Sequence, residues 1–104
     1  MIYVVAQLRL KPGTTDRACA EARKVVAGTI KEDGCLFYDF NLSVTDETRL
    51  VAVERWESHE ALAHHNETPH LLAWRKVVAE VALERDIQVI TPEKIERRAG
   101  PVMA

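Results

Sequence analysis

Residues 64–75 read HHNETPHLLAWR and hold three of the chain's four histidines, His64, His65 and His70. Imidazole titrates near neutrality, so a cluster of this kind can move protons or ligate a metal. Thr68 and Pro69 precede His70, the pattern of a helix start with proline at its first position. His70 then lies in the first turn, where the positive end of the helix dipole favours a neutral imidazole that can accept a proton or bond a hydroxyl. His65 closes the preceding short helix, where the dipole favours the cation. Two imidazoles of opposite bias at one corner could divide acid and base roles. The structural alternative is that they satisfy backbone groups where two helices meet. His64 and His59 are expected to face solvent, since adjacent helical residues point in different directions.

A metal needs three or four convergent ligands, commonly at H-x3-H or C-x2-C spacing. His65 and His70 are five apart across a helix break, and Cys19 and Cys35 lie elsewhere. No metal is expected. Trp56 and Trp74 could stack on an aromatic ligand or serve as core. Tyr38 alternates with Leu36 and Phe40 and could reach a pocket with its phenol. Glu54 shares a strand face with Leu50, Ala52 and Trp56, so it is partly buried and needs a partner, Arg9 or Arg55, or acts as a base. Arg75 follows Trp74 and could steady an enolate or phosphate, although helical arginines usually lie in solvent. Nucleotide loops of the G-x-G-x-x-G or P-loop type and a nucleophile elbow are absent.

The elements that must position these groups follow from periodicity. Ile2 to Leu10 alternates as a strand, with Ile2, Val4, Ala6, Leu8 and Leu10 on one face and Tyr3, Val5, Gln7 and Arg9 on the other. Thr14 or Thr15 starts a helix running to about Asp33, with Ala18, Ala22, Val25, Val26, Thr29 and Ile30 as its apolar stripe and Gly34 as its stop. Residues 35–42 and 48–56 read as strands joined by the loop SVTDE. Ser58 caps a short helix to about His65, and Thr68 caps a second in which Leu71, Trp74, Val78 and Val81 form the buried face. Residues 85–90 form the last strand, and 92–104 a polar tail. The order β-α-β-β-α(α)-β predicts an α+β, ferredoxin-like fold, one domain over 1–91 with helices on one face of a four-stranded sheet. The strands are apolar on both faces, which predicts a homodimer packed sheet on sheet.

Composition agrees. The chain has 104 residues, is 47% hydrophobic and carries 14 basic and 16 acidic residues, a formal charge of −2. That suits one small folded domain, and nothing in its charge pattern suggests a nucleic-acid or membrane partner. Two isolated cysteines read as buried thiols, and with no apolar run of spanning length or signal-peptide pattern a cytoplasmic protein is expected.

EDGCLFY, VERWESHEAL and HHNETPH at these separations resemble the antibiotic biosynthesis monooxygenase family, in particular its small quinol-monooxygenase and autoinducer-processing members. The matching pattern is G-C-L-x-Y at Gly34 to Tyr38, E-x-W-x-S at Glu54 to Ser58, and A-x-x-x-H-x-x-T-P-H from Ala61 through His65 to His70. The resemblance implies a dimeric α/β barrel with a pocket in each protomer between sheet and helices. It also places Gln7 on the pocket face, where it could orient a substrate carbonyl. Haem-degrading members carry Asn, Trp and His where this chain has Gln7, His65 and Arg75, so that activity is disfavoured.

Many members oxidise quinols with dioxygen and no cofactor. The expectation is therefore a cofactor-independent monooxygenase of a small quinol or polyphenol. His65 or His70 would be the base, with Gln7, Tyr38, Trp56, Trp74 and Arg75 in contact with substrate. The alternatives are an isomerase of a small (phosphorylated) carbonyl compound, and a non-catalytic ligand-binding, stress-related dimer.

Overall fold

A computed structural model describes residues 1–103. Strand β1, Ile2–Leu10, buries Ile2, Val4, Leu8 and Leu10 beneath the helices and leaves Gln7 and Arg9 exposed on the reverse. It is central: β3 (Arg49–Trp56) pairs with one edge and β4 (Ala82–Ile90) with the other. With β2 (Cys35–Leu42) the sheet order is β2-β3-β1-β4, every pairing antiparallel. Three helices, α1 (Thr15–Thr29), α2 (His59–His65) and α3 (Pro69–Val81), complete the predicted α+β, ferredoxin-like order.

The helix starts match the sequence for α2 and α3. Ser58 Oγ accepts from Ala61 N–H at 3.1 Å, and Thr68 Oγ1 accepts from Leu71 N–H at 3.4 Å. Thr14 caps α1 by position only, because its hydroxyl donates to Lys11 O at 2.7 Å. Helix α1 ends at Thr29, four positions before Asp33. Ile30, expected in the buried stripe, is therefore past the helix and 57% exposed. The chain turns through residues 30–34, where Gly34 has φ +83°. A Cβ there would sit 2.6 Å from Ala61 Cβ, so glycine serves both the turn and the seating of α2.

Strand β4 begins at Ala82, directly after α3 and earlier than Arg85. Ala82, Leu83 and Glu84 favour helix, but pairing with Arg9 and Leu10 across a bulge overrides that preference. Cys19 and Cys35 are free and only partly buried. The sheet face away from the helices carries Tyr3, Val5, Val51 and Val53 half-buried. None of the helices described is long and apolar enough to cross a membrane.

Candidate active site

The turn after α1 brings a carboxylate to the histidine corner. Backbone bonds Glu32 N–H to Thr29 O (3.0 Å) and Cys35 N–H to Glu32 O (3.2 Å) hold that turn. Glu32 Oε2 then lies 2.7 Å from His65 Nδ1 and 2.7 Å from His70 Nε2. An ionised carboxylate only accepts, so both ring N–H groups donate to it. His65, with its side chain 3% exposed, is thus held with Nδ1 protonated and Nε2 bare. His70 is 26% exposed and approaches the carboxylate from the solvent side. The second oxygen, Glu32 Oε1, is buried without a partner among the described residues.

The three donor atoms lie within 4.8 Å of one another, close enough to collect around a cation. Both imidazoles, however, already meet a single oxygen at the length of charge-assisted hydrogen bonds. A cation would have to displace both protons and break both bonds. As it stands the trio is a hydrogen-bonded relay of one carboxylate and two imidazoles, with a convergence that the spacing of the histidines alone did not suggest.

His65 also forms part of a cavity of about 230 Å³ between the sheet and α2–α3. Its walls include Val4, Tyr38, Phe40, Glu54, Leu71 and Trp74, and Asn66, Arg75, Arg85, Ile87 and Val89 also line it. Aromatic edges fix the walls: Tyr38 meets Phe40, Trp56 and His65 at ring separations of 5.7, 6.4 and 5.3 Å. Phe40 meets Trp74 at 5.2 Å.

Two polar groups share this apolar space with His65. Glu54 Oε1 accepts from Trp56 Nε1–H at 3.0 Å, and burial, opposed by that bond, pushes its carboxyl up to about 7. Burial, with the charge of Glu54, pushes the Tyr38 phenol well above its ordinary range. His65 is shifted below its ordinary value, chiefly by burial and against the pull of Glu32. The helix-end dipole that predicted a cation at His65 is outweighed by desolvation. A neutral imidazole and a carboxyl poised near neutrality face one cavity.

Of the residues singled out from sequence, His65, Tyr38, Glu54, Trp74 and Arg75 line this cavity. His70 does not, and reaches it only through Glu32 and His65. Trp56 is fully buried 4.6 Å from the His65 ring, a prop behind the wall. Gln7 stands on the reverse sheet face, exposed, beside a shallow hollow with Arg9, Asp46, Arg49, Glu84 and Asp86. Strand alternation gives the pocket to its neighbours Ala6 and Leu8.

Glu54 pairs with neither arginine proposed for it: Arg9 binds Glu84, and Arg55 lies over the Phe37 ring. His59 and His64 are exposed, as expected, with His59 Nε2 3.2 Å from Thr91 Oγ1. Glu32 escaped the sequence reading because it lies in a turn expected to be helix. An acidic residue two positions before the Gly34 stop was the available signal.

A family model described as "Antibiotic biosynthesis monooxygenase" matches residues 1–77. The chain is 31% identical over 102 residues to the Escherichia coli K12 protein named "Probable quinol monooxygenase YgiN", covering 88% of this chain and 98% of that one. Rv0793 from Mycobacterium tuberculosis superposes with a TM-score of 0.85 at 29% identity, over 92% of this chain and 98% of its own. PA3566 from Pseudomonas aeruginosa does so at 0.83 and 25% identity, over 89% and 94%. With its fold, its motifs and most of its length in agreement, the chain belongs to the antibiotic biosynthesis monooxygenase family.

Proposed function

We propose that the protein is a cofactor-independent monooxygenase of a small quinol or polyphenol, working as a homodimer. The observation that carries this reading is His65, a buried neutral imidazole on the pocket wall whose Nδ1–H is committed to Glu32. Its free Nε2 can take a proton from a substrate hydroxyl, and the carboxylate stabilises the imidazolium that forms. The quinolate is electron-rich enough to reduce dioxygen itself. One oxygen atom enters the ring and the other leaves as water, so quinol plus dioxygen gives hydroxyquinone plus water. Tyr38, Trp74 and Phe40 shape a slot for a flat ring, and Arg75 supplies a cation for the developing anion. No metal or organic cofactor is required by this chemistry. The half-buried apolar residues on the reverse face support sheet-on-sheet pairing of two copies.

The test is oxygen uptake by chelator-treated protein with hydroquinones, naphthoquinols and anthrones. Uptake well above autoxidation, lost in His65→Ala, is the expected result. Turnover of a carbonyl substrate without oxygen would instead indicate an isomerase, and ligand-induced stabilisation without turnover a binding dimer. A stable monomer in sedimentation would overturn the dimer.

A further inference from the structure

Arg75 on α3 and Arg85 on β4 enter the lining of the same cavity from two different elements, and with Ile87 they bound the hollow beside it. We infer that this pair is an anion clamp, and that the pocket takes a one- or two-ring aromatic molecule bearing a carboxylate or phosphate group. The inference rests on the reading of this cavity as the substrate site and adds the substrate's charge.

Three observations support it. Neither guanidinium has a carboxylate within salt-bridge distance among the described residues, whereas Arg9 and Arg17 are paired with Glu84 and Glu80. Arg75 makes only two long bonds, to Asn66 O at 3.4 Å and Asn66 Oδ1 at 3.5 Å. Glu84 and Asp86 share neighbouring hollows with Arg85, but strand alternation points them to the opposite sheet face, and the Glu84 carboxylate is bonded to Arg9 at 3.0 Å rather than to either arginine of the pair. The cavity lining therefore carries two arginines and one carboxyl, Glu54, which is raised toward neutrality.

Guanidinium forks match carboxylate and phosphate oxygens in geometry as well as charge. Below the clamp the walls are apolar and aromatic. A cavity of about 230 Å³ lies under the roughly 300–1,000 Å³ of drug-sized sites, which limits the occupant to one or two rings. The exposed apolar residues Ile87 and Val89 of β4 leave this side of the pocket open, so a ligand can enter ring first and leave its anion at the arginines.

Calorimetric titration of the full chain with 2-naphthoate, 1-naphthyl phosphate and neutral 2-naphthamide tests the clamp. At least one anionic probe should bind about tenfold more tightly than the amide at low salt. The better anion identifies the substituent. That preference should shrink at high salt and disappear in Arg75→Gln/Arg85→Gln, the anions falling to the affinity of the amide. If the double variant does not fold, the salt dependence of the wild-type preference decides. An amide that binds as tightly as both anions, a preference untouched by the substitutions, or no binding of any probe would overturn the proposal. None of these probes is a quinol, so that failure leaves the oxygenase reading standing. Anion binding without oxygen uptake on any quinol would break that reading alone.

Discussion

Gly28 is bare because the ring of His70 occupies the place where its side chain would be. A Cβ at Gly28 would lie 2.7 Å from His70 Cγ and 2.8 Å from Nδ1. Helix α1 thereby presents a flat backbone patch against which the imidazole stacks, with Nε2 aimed at Glu32. Gly28→Ala should push the ring aside and break that bond. The expected cost is about 1–3 kcal/mol in denaturant unfolding, the range of an overpacked contact. His70→Ala removes the obstacle, so Gly28→Ala in that background should cost far less. Equal costs in the two backgrounds would mean that the glycine serves something other than His70.

The trio also predicts an order of catalytic losses. His65→Ala removes the proposed base and should lower kcat by about 10²–10⁴. Glu32→Gln keeps the shape but loses the charge that fixes the His65 tautomer and supports its imidazolium. Its loss should be about 10²-fold, with little change in KM. His70→Ala leaves the Glu32–His65 bond in place and should cost the least, about tenfold. A kcat in His70→Ala below that of His65→Ala would reverse the roles assigned to the two histidines.

The pH dependence has a definite sign. Burial lowers His65, so the neutral imidazole is the form the fold prefers. Its stabilising contribution is present above the ordinary histidine value, about 6.5, and is lost as pH falls through the lower folded value. The proposed base follows the same direction. kcat/KM should rise with pH through an inflection below about 6.5 and be independent of this group at neutrality. Steady-state rates across pH 4.5–8 check this, and an inflection above 7 that vanished in His65→Ala would contradict it.

The fold was legible because its signals are local: alternation in β1, Ser58 and Thr68 as caps, and Gly34 as a turn. The candidate site was legible only where its residues sit on regular elements. Trp74 belongs to a helix whose periodicity aims it inward, and His65 ends a short helix that the Ser58 cap locates. Glu32 belongs to a turn, and its contact with His65 and His70 spans 33 and 38 positions, which no local pattern encodes. Gln7 was misplaced because the resemblance, not the alternation of β1, assigned its face. Glu54 was correctly placed on a buried face, but its partner was sought among cations. It is the indole of Trp56, two residues along the same strand, that holds it.

That neutral partner makes Glu54 a source of pH-dependent instability. Its carboxyl moves from an ordinary 4.5 to about 7 on folding, so the folded state binds the proton more tightly than the unfolded chain. The associated stability is full below pH ~4.5 and is lost as pH rises to ~7, on the order of 3 kcal/mol for a buried group. Glu54→Gln retains an oxygen for Trp56 Nε1–H and cannot ionise. The variant should therefore resemble the wild type at pH 5 and be the more stable of the two at pH 8, in contrast to the usual cost of altering a buried polar residue. Urea unfolding at both pH values measures the difference. If the wild type is the more stable at pH 8, the ionised carboxylate has a stabilising partner in the pocket, and a neutral Glu54 beside the arginine pair is wrong.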